Sequence, residues 1–557
     1  MLTRSTLWSS TIALSYIAIA SIASQLVVDV VPQPYLDEIF HIPQAQQYCK
    51  GEFAKYDPKL TTPPGLYIIS LLQGQIGSLF TFRSENKNLK TCQTVSQLRQ
   101  TSLFALFLLP YILASYCLAI PAKENKIQDK NVKVKWQRTS VPISPLEAIT
   151  RADANPTLAA QTARSNVSVK EAEIYAKRRK GWWGIPTRML DDIVLTLNVH
   201  TIAFLPPMWF FGLLYYTDVP STLFVMGMLA ASKRNENFLA ALLGAISLTL
   251  RQTNVVWMLF AMGTSALDNL SAVGLDTRPL CKTTVWNQIK SISSVPVLAA
   301  IRITFFTALP YIPVFGASAA FILYNGSIVL GDKEHHQVST HWVQPFYFAA
   351  FATFFAWPTL LVSINKARKD YRFSLLKIFT EIAILVVIFS IAFLAIHYGT
   401  VEHPFILADN RHYAFYFWRK IIKRTEWARY ALIVPYTISI RAWWITLSQH
   451  FSIFWLLGMC ACLSAAVIPS PLIEPRYFMI PFIIARLGLM EKTNSFEPTV
   501  GGTRQDTVML SNINKPIFKA CIVESIWFAL INGATLYLFL YKPFHWPDSL
   551  DWQRFMW

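Results

Sequence analysis

The residue types best suited to catalysis follow directly after the first long apolar run, in the segment Pro34–Gln46. This segment holds two adjacent carboxylates, Asp37 and Glu38, together with His41 and Gln44. Adjacent side chains diverge, so the two acids do not fit the paired carboxylates that a glycosidase places across one bond. We expect one general base, for which Asp37 is the first choice, and one acid in a structural or acceptor-binding role. An acidic helix cap is the alternative without chemistry.

Basic side chains concentrate in polar segments between later apolar runs, where they could bind the phosphate of a lipid. Arginine offers a planar fork and lysine a point charge for a phosphate group. The candidates for this role are Lys333, His403, Arg411, His412 and Arg419. Simple anchoring of Arg411 and Arg419 at the membrane interface is the alternative.

Aromatic and polar side chains near these groups are candidates to contact a sugar, because an aromatic face suits the apolar face of a sugar ring. The candidates for substrate contact are His41, Gln44, Tyr67, Trp342, Asp409, Asn410, Tyr413 and Arg476. For Arg476, a local salt bridge with Glu474 at a helix start is the alternative.

Histidines at 335, 336 and 341 raise the question of a metal site. His335 and His336 are adjacent and point in different directions on a regular helix, which disfavours shared ligation. The cysteines show no metal-ligand spacing, and pairing of Cys49 with Cys92 in an oxidising compartment is one hypothesis for them. We therefore predict no metal site in this segment.

The composition places these segments in a membrane protein. The chain has 557 residues, of which 53% are hydrophobic and 15% are charged, whereas soluble proteins carry roughly 25% charged residues. A net charge of +18 would suggest nucleic acid in a soluble protein. No nucleic-acid-binding motif is present, and basic loops of a membrane protein set its orientation and meet anionic headgroups.

Apolar runs long enough, or nearly long enough, to span a bilayer recur along the chain. They cover 7–30, 65–82, 101–120, 193–216, 218–232, 237–267, 297–324, 346–365, 376–398, 429–447, 452–469, 472–490 and 517–541. We predict an all-α polytopic membrane protein with about 12 to 14 transmembrane helices, built as one domain over residues 1–557. The acids would lie in the first loop, at 31–64, and a polar, basic insertion at 121–192 is predicted to be flexible.

Five motifs spread over the chain together resemble one family. They are Tyr35–Gln46 (YLDEIFHIPQAQ), Thr61–Tyr67 (TTPPGLY), Arg251–Asn254 (RQTN), Leu407–Tyr413 (LADNRHY) and Gln553–Trp557 (QRFMW). The resemblance is to the endoplasmic-reticulum dolichyl-phosphate-glucose α-1,2-glucosyltransferases of N-glycan precursor assembly, in the GT-C superfamily. The chain departs from the family pattern in the longer insertion at 121–192 and in Asn325-Gly326-Ser327, which stands for Asn-Gly-Gly.

The resemblance implies a GT-C-like bundle in the endoplasmic-reticulum membrane, with lumenal loops forming the active site. It implies inverting transfer of the terminal, third glucose from dolichyl-phosphate-glucose to the diglucosylated dolichyl-pyrophosphate-linked oligosaccharide. An acid of the first loop would be the base, and a phosphate leaving group needs no general acid. The resemblance also implies no required metal or other cofactor, because dolichyl-phosphate-glucose is itself the donor substrate. The expected partners are the two lipid-linked substrates and the bilayer, without nucleic acid, and we expect a monomer.

Two other functions remain open at this point. Another lipid-phosphate-sugar-dependent glycosyltransferase, for example one that uses mannose, would have the same composition. A channel or a transporter-associated protein would explain the spans and the charges at membrane depth. It would not explain why acidic, basic and aromatic groups concentrate in loops on one side.

Overall fold

Helices form almost all of the regular structure. The computed structural model describes residues 4–80, 94–119, 189–333, 338–369, 375–490, 504–547 and 551–557. The α-helices in these ranges are Arg4–Val30, Glu38–Cys49, Gly65–Phe80, Val95–Leu118, Met189–Ala203, Pro206–Gly212, Asp218–Lys233, Asn237–Leu248, Asn254–Leu270, Val285–Ile292, Val297–Ala308, Ile312–Asn325, Gln344–Lys369, Leu375–Gly399, Pro404–Ala408, Tyr413–Phe417, Ala428–Ala431, Ile433–Leu447, Ile453–Val467, Met479–Gly488 and Arg504–Tyr541. Short 3₁₀ segments cover Ser271–Val273 and Pro475–Phe478, and a π-helical turn covers Trp418–Ile422. The sheet in these ranges is one antiparallel pair, Phe544–His545 with Trp552–Gln553. The predicted all-α class is confirmed.

Long apolar helices make the chain a multi-pass membrane protein. Those long and apolar enough to cross a bilayer, within the described ranges, are Leu7–Val30, Val95–Leu118, Gln344–Ala367, Ile378–Gly399 and Pro516–Tyr541. Two helix pairs, bent by 70° and 95°, raise the number of candidate spans from 5 to 7 if each pair is one span. Shorter apolar helices such as Ile453–Val467 add to the bundle. The predicted polytopic architecture is confirmed, whereas the larger predicted number of spans stays a prediction.

The apolar run 237–267, for which the sequence allows one long helix or two short ones, forms two helices. Helix Asn237–Leu248 ends before Arg251, and helix Asn254–Leu270 begins after it. Arg251 therefore lies in a turn, where its Nη2 is 2.8 Å from Oδ1 of the buried Asp218. A buried carboxylate next to a fixed cation explains why a charge is tolerated between two apolar half-length helices.

The same turn contacts the start of helix Gly65–Phe80. The Gly65 backbone N–H donates to the Thr249 carbonyl at 2.9 Å, and Gln252 Nε2 donates to the Thr61 carbonyl at 2.8 Å. A Cβ at position 65 would collide with Thr249. The glycine after the two prolines is therefore required by this close approach of two backbones.

Charged side chains are also buried in the middle of the bundle. Arg486 and Glu524 are both fully buried, with Nη2 and Oε2 2.9 Å apart. Arg486 Nη2 also donates to Asn198 Oδ1 at 2.9 Å, and Thr359 donates to Glu524. These contacts connect four helices through one ion pair. Either charge would be costly to bury in lipid without its partner.

The predicted insertion 121–192 lies almost entirely outside the described residues. The same holds for His335 and His336 and for Cys92. Cys49, at the end of helix Glu38–Cys49, is disulfide-bonded. The predictions made for the insertion and for the adjacent histidines therefore remain predictions.

Candidate active site

The two acids of the first loop have opposite environments. Leu36, just before them, has a φ of +54°, a backbone conformation that bulky residues rarely adopt. Helix Glu38–Cys49 begins immediately after Asp37. The turn at Leu36 and the helix start direct Glu38 into the protein, where it is fully buried, and leave the Asp37 side chain 36% exposed.

Glu38 is held by four donors. Arg99 forms a bidentate pair with it, from Nε to Oε1 at 2.9 Å and from Nη2 to Oε2 at 2.6 Å. The backbone N–H groups of Tyr35 and Tyr215 donate to the same carboxylate at 3.1 Å and 2.7 Å. Glu38 thus ties the first loop to helix Val95–Leu118 and to the segment that precedes helix Asp218–Lys233.

Asp37 has a cation on one oxygen only. Arg476 Nη1 lies 2.9 Å from Asp37 Oδ2, and the Asp37 backbone N–H donates to the Tyr216 hydroxyl at 3.2 Å. No donor in the described ranges contacts Oδ1. Burial by itself would raise the pKa of Asp37, but the charges of Arg476 and His41 outweigh it, so the pKa lies below its usual value of 3.8. Asp37 is therefore ionised at neutral pH.

His41, Tyr67 and Gln44 are buried rather than open to solvent. His41 Nδ1 and the Tyr67 hydroxyl are 2.7 Å apart, and both side chains are buried. Burial lowers the pKa of His41 below 6.5, although Asp37 acts in the opposite direction. Gln44 donates to the Lys55 carbonyl at 2.7 Å and accepts from the Asp57 N–H at 2.8 Å. Gln44 therefore fixes the path of the first loop.

Arg476 connects Asp37 with a second acid and with aromatic rings. Its Nε donates to Glu474 Oε2 at 2.8 Å, which is the local salt bridge that the sequence suggested as an alternative. The guanidinium carbon also lies 5.4 Å from the centre of the Phe211 ring and 5.7 Å from that of Tyr216. Arg476 thus has both contacts, one to its sequence neighbour and one to the candidate base.

A second charged group comes from the segment 409–413. Arg411 forms a bidentate pair with Asp409, at 2.8 Å from Nε and 2.7 Å from Nη2, and its guanidinium lies 4.7 Å from the Trp546 ring centre. Asn410 accepts from Trp546 Nε1 at 2.7 Å. Burial would raise the pKa of Asp409, but the Arg411 hydrogen bond and the His412 charge lower it overall. His412 also contributes to the lowered pKa of Asp37, which indicates that the two charged groups are neighbours.

The last described residues of the chain pack against this segment. Met556 donates its N–H to the Arg411 carbonyl at 2.9 Å and accepts from the Tyr413 N–H at 3.0 Å. The Arg554 backbone N–H donates to the Tyr35 hydroxyl at 2.7 Å, and that hydroxyl donates to the Arg554 carbonyl at 2.8 Å. We call residues 551–557 the C-terminal strap. It joins the Arg411 segment to the residue two positions before Asp37.

The remaining predicted residues lie in other places. Lys333 donates from Nζ to the Asn325 carbonyl at 2.5 Å, and Trp342 is 54% exposed. His403 caps helix Pro404–Ala408 by accepting from the Phe405 N–H at 3.2 Å. Arg419 lies in a separate cavity beyond helix Tyr413–Phe417.

No group of three or more His, Cys, Asp or Glu side chains within the described ranges could hold a metal ion. The adjacent histidines at 335 and 336 are outside those ranges. Metal independence stays a prediction.

Sequence reasoning missed Arg99, Tyr216 and Asp218. Arg99 is buried in helix Val95–Leu118, two residues before the start assigned to that apolar run. The sequence Thr94-Val95-Ser96-Gln97 forms a capping box, which is a signal that the helix starts early enough to include Arg99. The partners of Tyr216 and Asp218 are far away in sequence, and no local pattern marks them.

Three curated relatives match nearly the whole chain. A protein of Arabidopsis thaliana is 29% identical over 603 residues, covering 97% of this chain and 99% of the relative. One of Homo sapiens is 29% identical over 545 residues, with 94% and 93% covered. One of Yarrowia lipolytica is 30% identical over 594 residues, again with 94% and 93% covered. All three are named Dol-P-Glc:Glc(2)Man(9)GlcNAc(2)-PP-Dol alpha-1,2-glucosyltransferase.

No solved structure matches the chain. The family model of the DIE2/ALG10 family matches residues 31–487. This range contains both acids of the first loop, the turn at Arg251, the Arg411 segment and Arg476. The chain belongs to the DIE2/ALG10 family.

Proposed function

We propose that this protein transfers glucose from dolichyl-phosphate-glucose to the diglucosylated dolichyl-diphosphate oligosaccharide, forming an α-1,2 bond. The names of its relatives supply the substrates. The observation that carries the proposal is Asp37, an ionised carboxylate of the first loop with one oxygen that has no donor in the described ranges. A general base needs such an oxygen to receive a proton.

Asp37 is the proposed base and Glu38 the structural acid. Asp37 Oδ1 takes the proton of the acceptor hydroxyl as its oxygen bonds to the anomeric carbon. The bond from that carbon to the phosphate oxygen breaks, and its electron pair leaves with dolichyl phosphate. Attack opposite the leaving group inverts a β-linked donor to an α-linked product. Glu38 is fully occupied by Arg99 and two backbone donors, so it has no free position for this proton.

Arg411 and His412 are the proposed contacts for the donor phosphate. Among the five predicted phosphate-binding residues, these two interact electrostatically with Asp37 or with its neighbours Tyr35 and Tyr216. A cation at the leaving oxygen stabilises the charge that develops in the transition state. Lys333, His403 and Arg419 remain candidates for the same phosphate on weaker grounds, since the contacts described above for these side chains lie elsewhere.

Substrate sugars are proposed to contact the rim of the site. Tyr413 offers an aromatic face there, and Asp409, Asn410 and Arg476 offer hydrogen bonds. Trp342 lies elsewhere, and its exposed ring stays a candidate for a more distant sugar contact. His41, Gln44 and Tyr67 are buried, so they would act by positioning the first loop. We propose no metal and no cofactor besides the donor substrate.

We place the active site on the lumenal face of the endoplasmic-reticulum membrane, in a monomer. The disulfide at Cys49 supports this side, because disulfides persist in oxidising compartments and are rare on the cytosolic side. Attaching an impermeant thiol reagent to Lys59→Cys in sealed microsomes tests the orientation. Labelling that requires permeabilised membranes would agree with a lumenal loop, whereas labelling of intact vesicles would contradict it.

The test of function is glucosyl transfer by purified protein in detergent. Dolichyl-phosphate-glucose and the two-glucose lipid-linked acceptor should give a three-glucose product, detected by mass spectrometry. Dolichyl-phosphate-mannose in place of the glucose donor should give none. Transfer of mannose would favour a different sugar specificity, and absence of any transfer would favour a transporter-associated role.

A further inference from the structure

A basic cavity lies beside the Arg411 segment, and the mechanism above uses none of its residues apart from Arg419, a weaker candidate for the donor phosphate. It has a volume of about 790 Å³ and is lined by Leu407, Phe415, Arg419, Lys420, Lys423 and Arg424. Four of its six lining residues are cations. We refer to it as the basic cavity.

A local feature of the backbone builds this cavity. The chain forms one π-helical turn over Trp418–Ile422, closed by the hydrogen bond from the Lys423 N–H to the Trp418 carbonyl at 2.9 Å. Trp418 and Ile422 are buried and anchor the turn. Arg419 and Lys420, between these anchors, are exposed. Single π-helical turns occur often at functional sites because they change which side chains face outward.

The cations of the basic cavity are only partly neutralised. Lys423 Nζ lies 2.5 Å from Glu402 Oε1, and this is the one carboxylate paired with these cations in the described ranges. Arg419 lies over the Phe415 ring at 5.8 Å from its centre. Among the residues that the structure describes, the other three positive charges have no counter-charge, which is more than a single phosphate monoanion requires.

The proposed reaction needs two separate phosphate sites. The donor phosphate is bonded to the glucose being transferred and must lie beside the base. The acceptor diphosphate is separated from the reacting hydroxyl by the whole oligosaccharide. Helical segments connect Arg411 to Arg419, eight residues later, so the two cationic sites are on the order of 12 Å apart along the chain. Both lie in the stretch of chain between helices Leu375–Gly399 and Ile433–Leu447.

We propose that the basic cavity binds the diphosphate of the lipid-linked acceptor, an inference that rests on the proposed function. The unpaired cations match a diphosphate, and Leu407 and Phe415 offer an apolar wall for the first isoprene units of its lipid. Arg419 would then contact the acceptor rather than the donor. An anionic phospholipid headgroup shares the phosphate chemistry and is the other source to be distinguished.

The first experiment measures steady-state kinetics of the full chain with Lys420→Ala combined with Arg424→Ala. We expect the KM for the lipid-linked oligosaccharide to rise roughly tenfold or more, as for the loss of a charge-assisted contact. The KM for dolichyl-phosphate-glucose and kcat should stay unchanged. Lys282→Ala with Lys290→Ala, two exposed cations outside the cavity, is the matched control. An unchanged KM for the acceptor, or an equal rise for both substrates, would overturn the inference.

The second experiment separates the two sources of phosphate. A short-chain isoprenyl diphosphate should compete with the acceptor for the wild type, and at least fivefold more weakly for Lys420→Gln, a milder second variant. The variant's defect should be the same in nanodiscs of phosphatidylcholine with and without phosphatidylserine. A defect that appears only with phosphatidylserine would assign the cavity to bulk lipid and overturn the proposal. Wild-type protein that transfers no glucose would instead refute the proposed function itself.

Discussion

Asp37 and Glu38 are adjacent in sequence, but their surroundings suit them to different roles. Glu38 faces inward to Arg99 and two backbone donors, whereas Asp37 faces Arg476 and keeps one oxygen without a donor in the described ranges. The difference arises from the turn at Leu36 and the helix that starts after Asp37. Neutralising Asp37 should therefore impair catalysis, whereas neutralising Glu38 should reduce the stability of the fold.

Asp37→Asn removes the proposed base and keeps the shape of the side chain. We expect kcat to fall by about 10²-fold or more, the usual scale for a lost general base. Single-turnover transfer from dolichyl-phosphate-glucose measures the effect, and an unchanged melting temperature is the control for folding. Near-normal turnover in this variant would move the base to another residue.

Arg476→Gln should change the pH dependence of catalysis. Arg476 is the main reason that the pKa of Asp37 lies below 3.8 despite burial. In the wild type the base stays ionised as the pH falls until it reaches that low pKa, so Asp37 gives no loss of activity between neutral pH and about pH 5. Without Arg476, burial raises the pKa, and the acid side of the kcat/KM profile should shift to higher pH. Arg476→Lys keeps the charge and should keep the wild-type profile; identical profiles for all three proteins would contradict this account.

Glu38→Gln should destabilise the protein. The change leaves Arg99 buried without a counter-charge, which costs about 3–5 kcal/mol for a buried pair. Thermal unfolding in detergent should show a clear drop in melting temperature, with Asp37→Asn as the neighbouring control. Adding Arg99→Met should recover part of the loss. A Glu38→Gln variant that melts like the wild type but loses turnover would indicate a catalytic role for Glu38.

At the scale of elements, local sequence patterns predicted the functional residues and contacts within one segment. They did not predict the contacts between segments that are far apart in sequence. The acids of the first loop, the Glu474–Arg476 contact and the Arg411 segment could all be read from residue types in short stretches. The partner of Glu38 could not, because Arg99 is 61 residues away on another helix. Likewise, the run 237–267 was ambiguous in sequence, since the break at Arg251 depends on contacts with Thr61 and Gly65.

The C-terminal strap should affect the donor site from a distance. Met556→Pro removes the N–H that donates to the Arg411 carbonyl at 2.9 Å. Loss of one hydrogen bond, about 1 kcal/mol, should raise the KM for dolichyl-phosphate-glucose roughly fivefold through misplacement of Arg411. Trp552→Ala, in the same strap but 57% exposed, is the control and should change little. Equal effects of the two variants would mean that the strap has only a general structural role.

At the scale of the whole molecule, the fold class followed from composition and apolar runs, because a bilayer imposes helices on any lipid-exposed backbone. The arrangement of the candidate active site could not be predicted from composition and apolar runs. Its residues come from the first loop, the segment before Asp218, the turn at Arg251 and the segments near 411 and 476. Only the packing of the bundle brings these parts of the chain to one end.

Replacing residues 125–175 with a short flexible linker should leave glucosyl transfer largely intact. The segment is polar and basic, none of the proposed site residues lies in it, and closing a loop of this length costs little. Activity of the shortened protein in microsomes is the measurement. If the protein reaches the membrane but has lost transfer, the insertion is part of the acceptor site. Occupancy of the Asn166-Val167-Ser168 glycosylation pattern in the full chain would place the insertion in the lumen.

The buried pair of Arg486 and Glu524 has a consequence for how the protein is made. Glu524 lies within the candidate span Pro516–Tyr541, and Arg486 belongs to helix Met479–Gly488, earlier in the chain. During synthesis Arg486 therefore emerges from the ribosome before its counter-charge exists. An unpaired charge at membrane depth is costly. We therefore expect the final placement of helix Met479–Gly488 to depend on helix Arg504–Tyr541, so that the packing of these two helices is a late step of biogenesis.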